Sequence, residues 1–296
     1  MEIKILGTSA MLPTKERNPT AVLFSYKSHN ILIDCAEGTQ RQFRLADIPP
    51  TKLTKLLITH WHGDHILGIP GLIQSLGANQ YSKTLEIYGP KGTENFFRNM
   101  RTWFYFPLRI DIKVKDIEEG KFFEDSELEL YAYKLDHNVP CLAYVLKEKD
   151  RRKIDLAYLK RFDLKQHPVL KDLQRGKDIV WKGKKILASK ATKIQIGKKI
   201  CFVTDTGYTK NAIKAAKDSD LLICESTFKD ELKENAGEFK HLTAKQAAEI
   251  AKKAKAKKLV LTHFSQRYKD AKGMKKEAES IFKNVVCAND FDFFKV

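Results

Sequence analysis

The chain contains no run of eighteen or more apolar residues, which excludes a membrane-spanning helix. Its opening residues, MEIKILGTSAMLP, lack the basic start, apolar stretch and cleavage site of an export signal. Cysteine is scarce and odd in number: Cys35, Cys141, Cys201, Cys224 and Cys287 lie far apart, most of them in or beside apolar runs. That spacing excludes a disulfide framework and fits reduced core thiols, so the expected compartment is the cytoplasm. Repeats of fixed period and low-complexity tracts are missing too, which excludes solenoids and disordered tails. Acidic residues fall well short of basic ones, 37 Asp and Glu against 54 Lys and Arg, and the formal charge over 296 residues is +17. Such an imbalance points to a polyanionic partner. With 43% hydrophobic and 10% aromatic residues, there is ample apolar material for a large core.

Short apolar runs, IKILG, AVLFSY and NILIDC, open the chain and are closed by Gly, Asn or charged residues, as strands of an antiparallel start would be. From residue 39 onward strand and helix patterns alternate: GTQRQFRLADI, KLLIT, ILGIPGLIQSLGA, LEIYG, then KGTENFFRNMRTWF. The last third repeats the alternation through KICFVTD, a helix near 209–217, DLLICES, TAKQAAEIAKKAKA and KLVLTHF. This order predicts an α/β layered domain over 1–296. Thr243 and Gln246 have the spacing of a helix capping box. Phe96, Phe97, Trp103, Phe104, Tyr105 and Phe106 form an aromatic cluster expected in a core or an interface rather than in base stacking, and the terminal FDFFKV reads as a packed strand.

Residues 147–185 differ from the rest: 14 Lys and Arg against 6 Asp and Glu give a net +8 in 39 residues. Leu156, Leu159 and Phe162 recur at helical spacing, while Pro168, Gly176 and Gly183 interrupt the remainder. The segment is expected to be an inserted basic arm, a small helix with loops, of a kind suited to phosphate backbones.

Chemistry concentrates in Thr59-His60-Trp61-His62-Gly63-Asp64-His65, where four potential metal ligands fall within six residues. His60 and His62, two apart, can face one point, and Asp64 and His65 a second. So much imidazole and carboxylate in one turn is costly to bury without a cation. His137 ends ELELYAYKLDH, Asp205 ends KICFVTD and His263 ends KLVLTH, as His60 ends KLLITH. Strand ends of an open α/β sheet gather at one edge, so these segments converge on a two-metal site. His241 adds a further imidazole, with Glu225 at the end of DLLICE as its candidate acidic partner.

Taken together, these motifs resemble the metallo-β-lactamase superfamily and, within it, the ribonuclease Z family, over essentially the whole chain. HxHxDH marks the superfamily alone. Pro13-Thr-Lys15-Glu-Arg17-Asn18, Asp34-Cys-Ala-Glu37-Gly-Thr39-Gln40, Thr204-Asp205-Thr206-Gly207, Glu225-Ser226-Thr227-Phe228, His241-Leu-Thr243 and His263-Phe-Ser265-Gln-Arg267-Tyr268 select the family. The resemblance implies a four-layer αβ/βα sandwich and a zinc-dependent endonuclease that removes the 3′ trailer of precursor transfer RNA, leaving a 3′-hydroxyl and a 5′-phosphate. It assigns one Zn²⁺ to His60, His62 and His137 and another to Asp64, His65 and His263, with Asp205 bridging. It gives Asp64, His241 and Glu225 catalytic roles; the leaving-group proton falls to His241 or Asp64. Lys15, Arg17, Asn18 and Thr206 are implied to contact the RNA, as are Arg175 and Lys177 in the arm. The arm departs from the family pattern at His167-Pro168 and Asp172, and the strand-to-helix turn does so at Ala36. A cytoplasmic homodimer without membrane attachment completes the expectation. Small-molecule hydrolysis, and RNA binding without turnover, are the competing readings.

Overall fold

Along Glu2–Gly7, Ala21–Tyr26 and His29–Ile33 most side chains on both faces are buried, which a strand permits only when its sheet is covered on both sides. The computed structural model describes residues 1–105 and 107–296; Phe106 of the aromatic cluster lies outside the described residues. The chain divides into two compact units, 1–123 with 130–146 and 199–296, and 124–129 with 147–198.

The first unit is built on two seven-stranded sheets. One has the order Phe293–Lys295, Glu2–Gly7, Ala21–Tyr26, His29–Ile33, Lys55–Leu57, Thr84–Gly89, Asp111–Asp116. Its first four strands pair antiparallel and the rest parallel, so the antiparallel start is present and the terminal FDFFKV supplies an edge strand. The other has the order Val285–Cys287, Leu259–Thr262, Leu221–Glu225, Lys199–Val203, Leu142–Glu148, Leu128–Lys134, Gly120–Glu124.

Period-two alternation divides each sheet's side chains between two cores. Leu23, Leu32, Leu56, Leu85 and Ile87 pack with helices Thr39–Leu45, Ile69–Ala78 and Thr93–Met100. Cys201, Val203, Leu222, Cys224, Leu259 and Leu261 pack with helices Lys210–Ala216, Ala244–Lys253 and Lys272–Glu279. The alternate residues, such as Ile3, Phe24, Ile31, Phe202 and Ile223, are equally buried, and they line the space between the sheets. Tyr144 crosses that space: its ring meets Phe122 and its hydroxyl donates to the Ile58 carbonyl at 2.6 Å. The result is an α/β sandwich with helices outside and sheets inside.

Two local devices shape the edge that carries the ligands. The pattern ILGIPGLIQSLGA is divided: its Ile66 ends a short helical turn, Gly63–Ile66, and a separate helix, Ile69–Ala78, follows, because Pro70 starts a new helix well and Gly68 lies against Ala36. A Cβ at Gly68 would stand 1.9 Å from the Ala36 carbonyl oxygen. The Thr243–Gln246 capping box is present in both directions at the start of Ala244–Lys253.

The second unit has more structure than a helix with loops. Leu156–Leu159 is helical, but Arg151–Ile154 pairs with Thr192–Gln195, and Ile179–Trp181 with Lys184–Ile186. Leu159, Leu164, Leu173, Ile179, Ile186, Ala188 and Ala191 give it a core of its own. These strands are three or four residues long, and all but Ile179–Trp181 carry lysine or arginine, so they are too short for alternation to show in the sequence.

Candidate metal centre

His60 follows the strand Lys55–Leu57, and His62 caps the turn whose residues include Asp64 and His65. His137, Asp205 and His263 follow Leu128–Lys134, Lys199–Val203 and Leu259–Thr262. All seven lie within the first unit. They meet in two groups, His60 with His62, His137 and Asp205, and Asp64 with His65 and His263; in each group the ligand atoms lie within 4.8 Å of one another. Asp205 faces both groups. Its Oδ2 lies 3.7 Å from His60 Nε2 and 4.0 Å from His137 Nε2, while its Oδ1 lies 3.4 Å from His65 Nε2 and 3.3 Å from His263 Nε2. Asp64 Oδ2 closes the second group at 3.4 Å from His65 Nε2 and 3.7 Å from His263 Nε2. Four nitrogen or oxygen donors at about 2.0–2.1 Å around one ion stand roughly 3.3 Å apart, so these separations are those of donors sharing a cation.

Hydrogen bonds on the outer imidazole nitrogens fix the rings. His65 Nδ1 lies 2.7 Å from Asp34 Oδ2, and Asp34 is itself held by the Thr59 amide and hydroxyl, each at 2.8 Å. His263 Nδ1 meets the Thr227 hydroxyl at 3.0 Å, and that hydroxyl donates to Glu225 Oε2 at 2.6 Å. His60 Nδ1 meets Thr59 Oγ1 at 3.1 Å, and His137 Nδ1 meets the Lys240 carbonyl at 3.2 Å. The inner Nε2 atoms of His60, His65 and His263 are buried without a hydrogen-bond partner. Three inward-facing, unsatisfied imidazole nitrogens around two carboxylates are costly unless a cation takes their lone pairs. The donor set therefore fits a metal.

Charge follows the same logic. Burial pushes His60 well down, aided by the neighbouring His65. At His65 burial also pushes down, but the Asp205 and Asp34 carboxylates outweigh it and hold the imidazole well above its usual range. Asp205 is driven well below the carboxylate range because His263, His65 and His60 overcome its burial. Beside the ligands, His241 Nδ1 lies 3.2 Å from both oxygens of the fully buried Glu225. Burial lowers the His241 pKa, yet Glu225 prevails and lifts it to about 9. Glu225 also accepts from the amides of Thr206 and Leu242, which hold the carboxylate in place.

Backbone conformation marks the same residues. Among the described residues, Asp34, Asp205 and His263 are the buried non-glycine residues with a left-handed backbone, at φ of 57°, 51° and 58°. Each lies just past a strand, where this turn aims its side chain across the sheet edge.

The chain matches the model of the metallo-beta-lactamase superfamily over residues 14–151 and that of the beta-lactamase superfamily domain over 189–264. Ribonuclease Z of Archaeoglobus fulgidus is 36% identical over 294 residues, covering 98% of this chain and 96% of its own. Ribonuclease BN of Cronobacter sakazakii is 38% identical over 303 residues, covering 98% of each chain. The chain belongs to the ribonuclease Z family. The crystal structure of human tRNase Z, short form, superposes with a TM-score of 0.74 at 28% identity, covering 100% of this chain and 99% of that one. As a member of the ribonuclease Z family, this chain is a metal-dependent hydrolase on a metallo-β-lactamase fold.

The remaining family positions fall in different settings. Lys15 is exposed. Arg17 is engaged within the protein: it donates to Thr8 Oγ1 at 2.6 Å and to the Ala288 carbonyl at 2.9 Å, and stacks on Phe264 at 4.8 Å. Asn18 ties its loop to the Glu37 carbonyl at 2.9 Å. Thr206 is buried, and its hydroxyl donates to the Gly207 carbonyl. Arg175 and Lys177 belong to the second unit, where both are exposed and Arg175 lies 3.9 Å from Asp172. Sequence reasoning gave no role to Asp34, Thr59 or Thr227, the groups that hold the imidazoles. Asp34 carried a usable signal, since it ends NILID as the other site residues end their strands.

Proposed function

We propose that this chain is the endonuclease that removes the 3′ trailer from precursor transfer RNA, with two Zn²⁺ ions as its cofactor. One ion is held by His60, His62 and His137, the other by Asp64, His65 and His263. The observation that carries the reading is Asp205, whose two carboxylate oxygens each face a separate imidazole set. Bound there, a metal pair lowers the pKa of a water toward neutrality and neutralises charge on phosphate oxygens.

The chain's own groups supply the rest. Asp64 accepts a proton from the attacking water; its carboxylate is kept ionised because the neighbouring His263 and His65 imidazoles overcome its burial. The water oxygen bonds to phosphorus, the P–O3′ bond breaks, and the 3′ oxygen takes a proton. His241, protonated through Glu225, stands 3.9 Å from Asp205 Oδ2 and is placed to stabilise the charged phosphate or to deliver that proton. The products are a 3′-hydroxyl on the transfer RNA and a 5′-phosphate on the trailer.

Selectivity for transfer RNA is assigned to the basic segment 147–185, with Arg175 and Lys177 contacting phosphates, and to Lys15 near the site. Arg17, Asn18 and Thr206 serve the RNA by holding the loops that carry such contacts. The family resemblance further supports a homodimer, and five free cysteines support a reducing, cytoplasmic setting.

Cleavage of a 3′-extended precursor by Zn²⁺-loaded protein tests the reading. A single cut near the discriminator base is expected, abolished by His65→Ala. Combined Arg175→Glu and Lys177→Glu should raise KM with little change in kcat and flatten the dependence of binding on salt. Binding without cleavage would favour an RNA-binding protein, and hydrolysis of simple phosphodiesters alone a small-molecule hydrolase.

A further inference from the structure

The aromatic cluster that begins at Phe96 is divided by the structure. Phe97 is buried against the helix-side core, whereas Phe96 and Trp103 remain 46% and 68% exposed. With Trp61 and Pro140 they line an apolar cavity of about 290 Å³. Trp61 is held rigidly: its Nε1 donates to Thr93 Oγ1 at 2.8 Å, and its ring lies 5.3 Å from that of Phe96 at 42°. Location gives the cavity its meaning. Trp61 is the residue between His60 and His62, and Pro140 follows His137 by three positions. The cavity thus adjoins the turn that presents the imidazoles. Lys91 and Asn99, both exposed, stand at its lining and add a cation and an amide to otherwise apolar walls.

A flat apolar body with a polar edge, carried on an anionic backbone, matches those walls. We propose that the cavity binds one nucleobase next to the scissile phosphate, stacked among Trp61, Phe96 and Trp103, with Lys91 facing the adjoining phosphate and Asn99 the base edge. The inference deepens the proposed function and rests on it. Its continuity with the ligand-bearing turn selects a substrate group as occupant, because a second copy seated there would stand beside the metal centre that the substrate must reach. The cavity is slightly smaller than the usual range for drug-sized ligands and suits a single ring system.

The test pairs protein variants with substrates lacking one base. Zn²⁺-loaded wild type, Trp103→Ala and Phe96→Ala are assayed on intact precursor transfer RNA and on precursors abasic at each of the two nucleotides on either side of the cut. On the intact precursor each variant should lose roughly 5- to 150-fold in kcat/KM, mainly through KM, the loss expected for one stacked base. At one abasic position wild type should suffer the same loss and the variants nothing further. Metal content and the urea unfolding midpoint, which need no substrate, should be unchanged and report that the variants are folded. If wild type cuts intact and abasic precursors equally well, or if the variants lose activity equally on all of them, the base pocket is overturned while the endonuclease reading stands. A variant that sediments as a monomer where wild type is a dimer would make the cavity an interface between copies instead. If wild type cuts no precursor, the function falls and the pocket with it.

Discussion

The Oδ2 atom of Asp34 lies 2.7 Å from Nδ1 of His65, both side chains being fully buried. This contact orients the imidazole so that Nε2 faces Asp64 and Asp205, and it raises the basicity of a donor nitrogen. Asp34→Asn, which keeps the size and tolerates the left-handed backbone, should therefore weaken metal affinity about 10- to 100-fold. Metal content after dialysis against graded chelator measures it; unchanged affinity would show that the ring is held by packing alone.

Metal removal should cost stability. The unpaired Nε2 atoms of His60, His65 and His263 and the Asp205 carboxylate are brought together only in the folded chain, so a cation bound to them stabilises that state by mass action. At a free metal concentration about 1,000 times its Kd the gain is about 4.1 kcal/mol. Thermal melts with Zn²⁺ and with EDTA should differ by several degrees, and the difference should shrink in His65→Ala. Equal melting temperatures would contradict the site.

Arg17 and Lys15 occupy the same loop but should respond to substitution in opposite ways. Arg17→Ala deletes bonds to Thr8 and Ala288 and a cation–π contact with Phe264, and should cost about 1–3 kcal/mol in urea denaturation. Lys15→Ala should alter stability by less than about 0.5 kcal/mol while raising KM for RNA and lowering the salt slope by about one unit. An exchange of these two phenotypes would overturn the structural role given to Arg17.

Asp290 offers a pH test away from the metal ligands. Its carboxylate accepts from Thr8 Oγ1 and the Asn18 amide, each at 2.7 Å, yet burial outweighs these bonds and pushes its pKa up. A carboxyl with a raised folded-state pKa holds more proton folded than unfolded, so its contribution to stability is full below the unfolded value of about 3.9 and is lost as pH rises through the folded value. Asp290→Asn removes that dependence. The variant's stability relative to wild type should therefore be more favourable at pH 7 than at pH 4; an equal difference at both, read from urea midpoints, would refute the assignment.

Much of the site was legible because its ligands sit where pattern is strongest. His60, Asp205 and His263 close apolar runs that read as buried strands, so their place at strand ends was legible, whereas the division of those strands between two facing sheets, His60 on one and Asp205 and His263 on the other, was not. Asp34 was legible by position but not by role, since what it does depends on facing His65 thirty-one residues away. The placement of Arg17 was not legible: a charged loop residue looks the same in sequence whether it meets solvent or, as here, Phe264 and the Ala288 carbonyl. The paired strands of the second unit were hidden because Arg151–Ile154 and Lys184–Ile186 carry too few apolar residues to show a period.

The left-handed backbone at Asp34, Asp205 and His263 has a bearing on redesign. A procedure reading only the backbone at these buried positions would write glycine there, because a side chain costs roughly 1–2 kcal/mol in that conformation. A sequence so rewritten could keep its sheets while erasing the centre. Where local preference and the retained residue disagree inside the core, the disagreement is itself a map of the active site, drawn without any reference to histidine, aspartate or metal.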